Sequence, residues 1–461
     1  MTAQPSFATL MRLAWPVVLS RAAQAVIGFS DAAMVASLGE DAVAATTTGA
    51  SNALNLFILP MGVVFIVQSF AAQLAGSGDV AGSRRYAWYG IAIALAAGLI
   101  SALGMPALSP VIASLGYTEN VRTLLVDYMV IRLFSCAAVV GTEAIGNWYA
   151  GIGNTRVPMF VSFLAMGLNI AFNWIFIFGH LGAPAMGVAG AALGRALART
   201  VAFLVALLAF IRGLGAPRRR TAGRFAGHEL RRMLRFGLPN GFNWFLEFAA
   251  FTFFINVVVA DLGTTAVAAF MAVVQVNSIA FMPAFGVASA GAILVGQAIG
   301  ADRRDDVGAL VRRTMVITGA WQVFVGLVYA SMPGAVMSIF ASDDVPSDAL
   351  VTLGTRMLLV STAWQLFDAI AITLSEALRA AGDTAWCMWA RVVLAWVLFV
   401  PLSGWVVLRG DAGPVGAIAC LVAYLVVLAG LLAWRFRSGA WRAIDLTGAA
   451  GHGVDVPGPA T

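Results

Sequence analysis

Three carboxylates interrupt stretches of sequence that are otherwise apolar: Asp31 in GFSDAAM, Glu247 in NWFLEFAAF and Asp368 in WQLFDAIAI. A charge surrounded by hydrocarbon is costly unless it is paired or hydrated, so residues of this kind mark ion or substrate paths. A carboxylate in that setting can hold a proton, a sodium ion or an organic cation, and exchanging one for another is the chemistry of coupled transport. Asn169 and Asn173, in LNIAFNWIFIFG, are spaced to share one helical face, and their oxygens can converge with Asp31 on one cation or proton. The competing reading for the asparagines is that they glue helices together, and for each acid that it is bonded to backbone or water. Trp364, Phe367 and Phe251 stand in the acidic segments of the second half, where aromatic faces suit a lipophilic cation.

The elements that position these groups must be membrane helices. Of the 461 residues 61% are hydrophobic and 11% charged, with mean hydropathy +0.88, where soluble domains carry about a quarter charged residues. Apolar runs between polar breaks predict twelve spans, at 12–37, 46–75, 86–108, 124–149, 157–179, 187–211, 235–260, 266–299, 311–335, 350–379, 385–408 and 413–435. All 28 basic residues are arginine, and they gather in alternate connections: Arg84 and Arg85, Arg156, Arg212 to Arg232, Arg303 to Arg313, and Arg435 to Arg442. By the positive-inside bias those connections and both termini are cytoplasmic, with no removable signal peptide. The expected location is the bacterial inner membrane, crossed many times.

On that topology Asp31 lies about six residues inside the outer end of its span, roughly 9 Å deep, and Asn173 has a similar depth. Glu247 and Asp368 lie roughly 18 and 15 Å from the inner face. Two carboxylates at one level are expected to share a transient sodium ion or a proton.

A duplication orders the spans. MRLAWP at Met11 returns as LRFGLP at Leu234, ASLGEDAVAA as ADLGTTAVAA, and AQLAG ending at Gly76 as GQAIG ending at Gly300. AGIGNT ending at Thr155 is answered by RAAGDT ending at Thr384. An even number of spans per copy gives both copies the same orientation. The expected fold is therefore all-α and integral to the membrane, with twelve transmembrane helices in two pseudo-twofold-related six-helix bundles. The divisions are a lobe over 1–212, a basic cytoplasmic connector over 213–232, a second lobe over 233–442 and a disordered tail over 443–461. Pro60 and Pro283 are expected to bend the second and eighth spans.

Other buried charges read as architecture: Glu376 with Arg379 as a local ion pair, Glu143 with Arg195 or Arg199 across helices, and Arg132 and Arg356 at equivalent places. Cys136, Cys387 and Cys420 give no disulfide framework or zinc spacing. No Walker A, nucleophile-elbow or HExxH pattern is present, so neither ATP-driven transport nor a catalytic site nor a resident metal or cofactor is expected. Nucleic acid is not an expected partner, and the chain is expected to work as a monomer.

GFSDAAM, the LNIAFNWIFIFGHLGAP stretch, GNTRVPM and AGDT after the fourth and tenth spans, and VGQAIGA after the eighth resemble the multidrug and toxic compound extrusion family, in its NorM-like branch. The resemblance covers all twelve spans. It implies a V-shaped pair of six-helix bundles that exports organic cations in exchange for sodium ions or protons. It also implies cation coupling at Glu247 and Asp368, and a first-lobe polar site at Asp31, Asn169 and Asn173. One departure is that Trp364 stands where NorM-like proteins commonly have a tyrosine, one turn before the span 10 aspartate. An indole has no hydroxyl oxygen to offer a cation. Alternatives are a flippase for a lipid-linked sugar of the same superfamily, which would want arginines facing the cleft, and an ion channel or membrane scaffold.

Overall fold

The computed structural model describes residues 7–114, 116–216, 225–340, 347–410 and 413–448. Among these every regular element is helical. The spans are α1 (Phe7–Ala36), α2 (Glu40–Gly76), α3 (Val80–Ala113), α4 (Glu119–Phe134 with Cys136–Gly151), α5 (Arg156–Phe178) and α6 (Gly187–Arg212) in the first lobe. The second lobe holds α7 (Gly227–Leu262), α8 (Thr264–Gly300), α9 (Arg304–Ser331), α10 (Asp348–Ala381), α11 (Thr384–Val407) and α12 (Gly413–Arg437). Each is long and apolar enough to cross a core about 30 Å thick. Leu95, Leu99 and Leu103 of α3 point outward in one stripe and are more than half exposed, as side chains facing lipid are.

Several helices outrun their expected spans. α7 begins at Gly227, so the connector placed at 213–232 gives up its last residues to a helix. The cause is local: Glu229 in the first turn accepts from Arg85 of α3 at 2.7 Å and from Tyr89 at 2.8 Å, which holds that turn beyond the apolar zone. Residues 217–224 of the connector lie outside the described residues. At the other end, Leu446 is fully buried against the first lobe's inner core, so the chain is still packed where the tail was placed. Residues 449–461 of that tail lie outside the described residues.

Pro60 and Pro283 sit inside α2 and α8, which run through them without a break. A sharp bend is present in α4, 44° at Ser135. There the Ser135 hydroxyl donates to the Arg132 carbonyl at 2.7 Å, and its amide donates to the same oxygen at 3.0 Å. Such back-bonding competes with the i to i−4 ladder and tilts the helix.

The duplication reaches the backbone. Gly39 and Gly263 have φ of 101° and 90°, and Gly153 and Gly382 have 87° and 92°, in each case at matching helix ends where only glycine avoids strain. It also builds the seam between lobes. Gln73 of α2 donates to the Ala380 carbonyl at 2.8 Å, and its repeat counterpart Gln297 of α8 donates to the Gly151 carbonyl at 3.1 Å. Gly151 and Ala380 are themselves counterparts. Where the two helices cross, a Cβ on Gly76 would overlap the Gln297 backbone and one on Gly300 the Gln73 backbone. Gly300→Val is therefore expected to force the inner ends apart and cost about 1–3 kcal/mol. A thermal melt in detergent that matches wild type would refute this.

Candidate functional site

The lobes meet along α1 with α8 and α2 with α7, and two adjoining cavities of 520 and 500 Å³ lie mainly within the second lobe, with Ile58 of α2 on the wall of both and Arg21 of α1 on that of the larger. Both are walled by Trp244, Glu247, Phe248, Phe281 and Asp368. The two second-lobe acids that sequence placed at one depth are thus brought to one space. α7 supplies Glu247 and α10 supplies Asp368. Trp364 and Phe251, two of the three aromatics singled out by sequence, line the 500 Å³ cavity. Phe367 lines neither; it packs against the second lobe's inner core.

Glu247 is not a free carboxylate. Arg391 Nη1 of α11 donates to both its oxygens, at 2.8 and 2.6 Å, and Tyr424 of α12 donates to Oε1 at 3.2 Å. Arg391 Nη2 also donates to Ser375 at 2.9 Å. Tyr424 supplies at Glu247 the phenol that position 364 lacks, from a different helix. Asp368 is buried, and among the described residues it has no ion pair; its hydrogen-bond donor is Gln322 Nε2 of α9, at 3.0 Å.

Sequence reasoning missed Arg391 and Tyr424. For Arg391 a signal existed, since the residue falls within the expected span 385–408 and a guanidinium inside a span needs a carboxylate. Nothing in the sequence set Tyr424 apart from other aromatic residues.

The cavity wall also carries arginines, which corrects the expectation of an acidic cleft. Arg21, Arg379 and Arg391 line the 520 Å³ cavity with Glu247, Asp368 and Glu376. Arg379 pairs with Glu376 at 2.5 Å, as the spacing of the two residues led us to expect, and donates to Gln68 and Ser69 of α2 at 3.1 Å each. That ion pair therefore also stitches the lobes. Arg21 lies over the Phe285 ring, 5.0 Å from its centre, and donates to Gln24.

In the first lobe Asn173 donates to Asp31 Oδ1 at 2.6 Å, which joins two of the three expected residues. Asn169 is buried on the same helical face, and neither of its amide atoms has a partner among the described residues. The second Asp31 oxygen accepts from Arg195 of α6 at 2.7 Å. The expected pairing of Glu143 with Arg195 or Arg199 is not found, since no ion pair to Glu143 is present among the described residues; that side chain faces an 80 Å³ pocket shared with Arg21. Asp31, Asn169 and Asn173 line neither large cavity.

A family model described as MatE matches residues 16–175 and 240–405, two stretches that begin at equivalent points of the duplication. A probable multidrug resistance protein NorM from Chromobacterium violaceum is 30% identical, with 93% of each chain covered. One from Neisseria meningitidis is 27% identical, with 92% of each covered. Among solved structures, the outward-facing conformation of a multidrug resistance MATE family transporter superposes with a TM-score of 0.86 at 20% identity, covering 95% of this chain and 96% of that one.

Proposed function

The chain belongs to the MatE family, and from that premise we propose that it is a secondary transporter that expels lipophilic organic cations in exchange for inflowing Na+ or H+. It is a multi-pass membrane transporter and not an enzyme. The coupling ion is cargo, and no cofactor is called for. In this reading it works in the inner membrane, which its bacterial relatives support, with both termini cytoplasmic, as the arginine-rich connections favour, and with one chain as the working unit.

The observation that carries this reading is the joint placement of Glu247 and Asp368 in the wall of a cleft faced with Trp244, Phe248 and Phe281. A lipophilic cation gains apolar contact and cation–π attraction there, together with a carboxylate. An entering sodium ion or proton neutralises the same carboxylate, so the two cargoes compete and their gradients are coupled. In the first lobe Asp31 is already neutralised by Arg195, so cation exchange rests on the second lobe. Asp31, with Asn169 and Asn173, forms the polar site of the first lobe in this reading.

Proteoliposomes given separate sodium and pH gradients are expected to move ethidium against its gradient with one or both. Conductive ion flux without ethidium would make the chain a channel, and no flux of either kind would leave a scaffold. A flippase for a polyanionic lipid is disfavoured because two of the three cleft arginines are already paired with glutamates.

A further inference from the structure

We propose that Arg391 is a tethered counter-cation shared by Glu247 and Asp368, which leaves this acidic pair a single exchangeable charge and makes the exchanger one-for-one. The inference rests on the coupled-export reading and adds to it a charge count and the residue that sets it.

The guanidinium is placed to serve both acids. It contacts the two oxygens of Glu247 and reaches Ser375 of α10 through its other amino group. Ser375 lies two turns beyond Asp368 on the same face of α10. Glu247, Asp368 and Arg391 all line the one 520 Å³ cavity, so the arginine bridges the helix that carries one acid and the face that carries the other. Its Nε is buried without a partner among the described residues, which leaves a donor unspent. Just beyond Arg391 the helix widens into a π-helical stretch, Val393–Phe399, a departure that recurs at functional sites. Trp396 in that stretch donates to the Leu246 carbonyl at 3.1 Å, which docks it beside Glu247.

Two carboxylates and one fixed guanidinium carry a net charge of minus one. The remaining charges on the cavity wall do not alter this count: Arg379 is closed on Glu376, and Arg21 also lines the 80 Å³ pocket with Glu143, an acid outside this cavity that offsets it. One proton, one sodium ion or one monovalent organic cation neutralises the site, and exchanging one for another moves no net charge. Glu247 then serves mainly to park the arginine, and Asp368 holds the exchangeable charge. Without the Glu247 charge, Arg391 turns to Asp368 and silences it.

The test is ethidium transport in proteoliposomes under a fixed pH or sodium gradient, with potassium and valinomycin setting the potential. Wild-type accumulation is expected to be the same at zero and at about 100 mV. Arg391→Gln frees both carboxylates, and accumulation then shifts roughly fifty-fold over about 100 mV for the one net charge moved per cycle. Arg391→Lys keeps the count and stays insensitive to potential. Glu247→Gln alone is inactive, whereas the double variant Glu247→Gln with Arg391→Gln recovers potential-independent exchange, which a purely structural ion pair would not do. Potential-driven accumulation by wild type or by the lysine variant overturns the proposal, as does a double variant that melts like wild type yet stays inactive. Failure of wild type to move ethidium under any ion gradient would instead overturn the export reading itself, and the charge count with it.

Discussion

Asp368→Asn is expected to reduce ion-driven ethidium efflux to the leak rate of empty liposomes while leaving the protein folded and inserted. The substitution keeps shape and the oxygen that accepts from Gln322. It also brings an amide donor to a glutamine whose own Oε1 is buried without a partner among the described residues. An uncharged group at this depth removes the penalty of a buried charge and satisfies a lone acceptor. The melting temperature should therefore hold or rise as activity disappears, a trade found where a site is strained for function. Export at the wild-type rate, or a large drop in melting temperature with it, would show that Asp368 serves the fold and not the exchange.

Arg195→Ala is expected to be the most destabilising single change in the first lobe. It strips the Asp31 carboxylate, buried in the bundle, of its cation and leaves Asn173 as its one remaining partner among the described residues. Breaking a buried pair from one side costs about 3–5 kcal/mol, most of it the burden of the charge left behind. Adding Asp31→Asn to the alanine variant removes the stranded charge and should recover much of the loss. Thermal melts of the two single variants and the double complete the cycle. If the double variant melts no higher than Arg195→Ala, the pair contributes packing and not electrostatics.

The bilayer made much of this fold readable. Charges are excluded from hydrocarbon, so twelve apolar runs and the alternation of arginines fix the spans and their grouping, and the duplication adds the relation between lobes. The same exclusion made Asp31, Glu247 and Asp368 conspicuous. Their partners were not conspicuous, because pairing is decided by which helix faces which. Arg391 stands 144 residues from Glu247 and Arg195 stands 164 from Asp31. A sequence shows that an arginine inside a span needs a carboxylate, but not which of several. Glu143 looked as eligible for Arg195 as Asp31 did, and only the packing of α6 against α1 and α5 separates them. The bend in α4 was missed for a related reason. Proline announces a lost hydrogen bond, whereas a serine that diverts one, as Ser135 does, looks like any other serine.

The seam of glutamines and glycines has a consequence for how such a chain arose. Gln73 gives to Ala380 what Gln297 gives to Gly151, and Gly76 yields to the backbone of Gln297 as Gly300 yields to that of Gln73. Each half presents a surface that is complementary to its own copy, the property of an isologous twofold contact between identical subunits. A half-length ancestor needed to invent this contact only once to obtain it twice, as a homodimer. Fusion of two genes then preserved the handshake at the inner face and released the rest of each half from identity. One copy could keep an aspartate clasped by α6, and the other could place Glu247 and Asp368 in the cleft wall with Arg391 beside them.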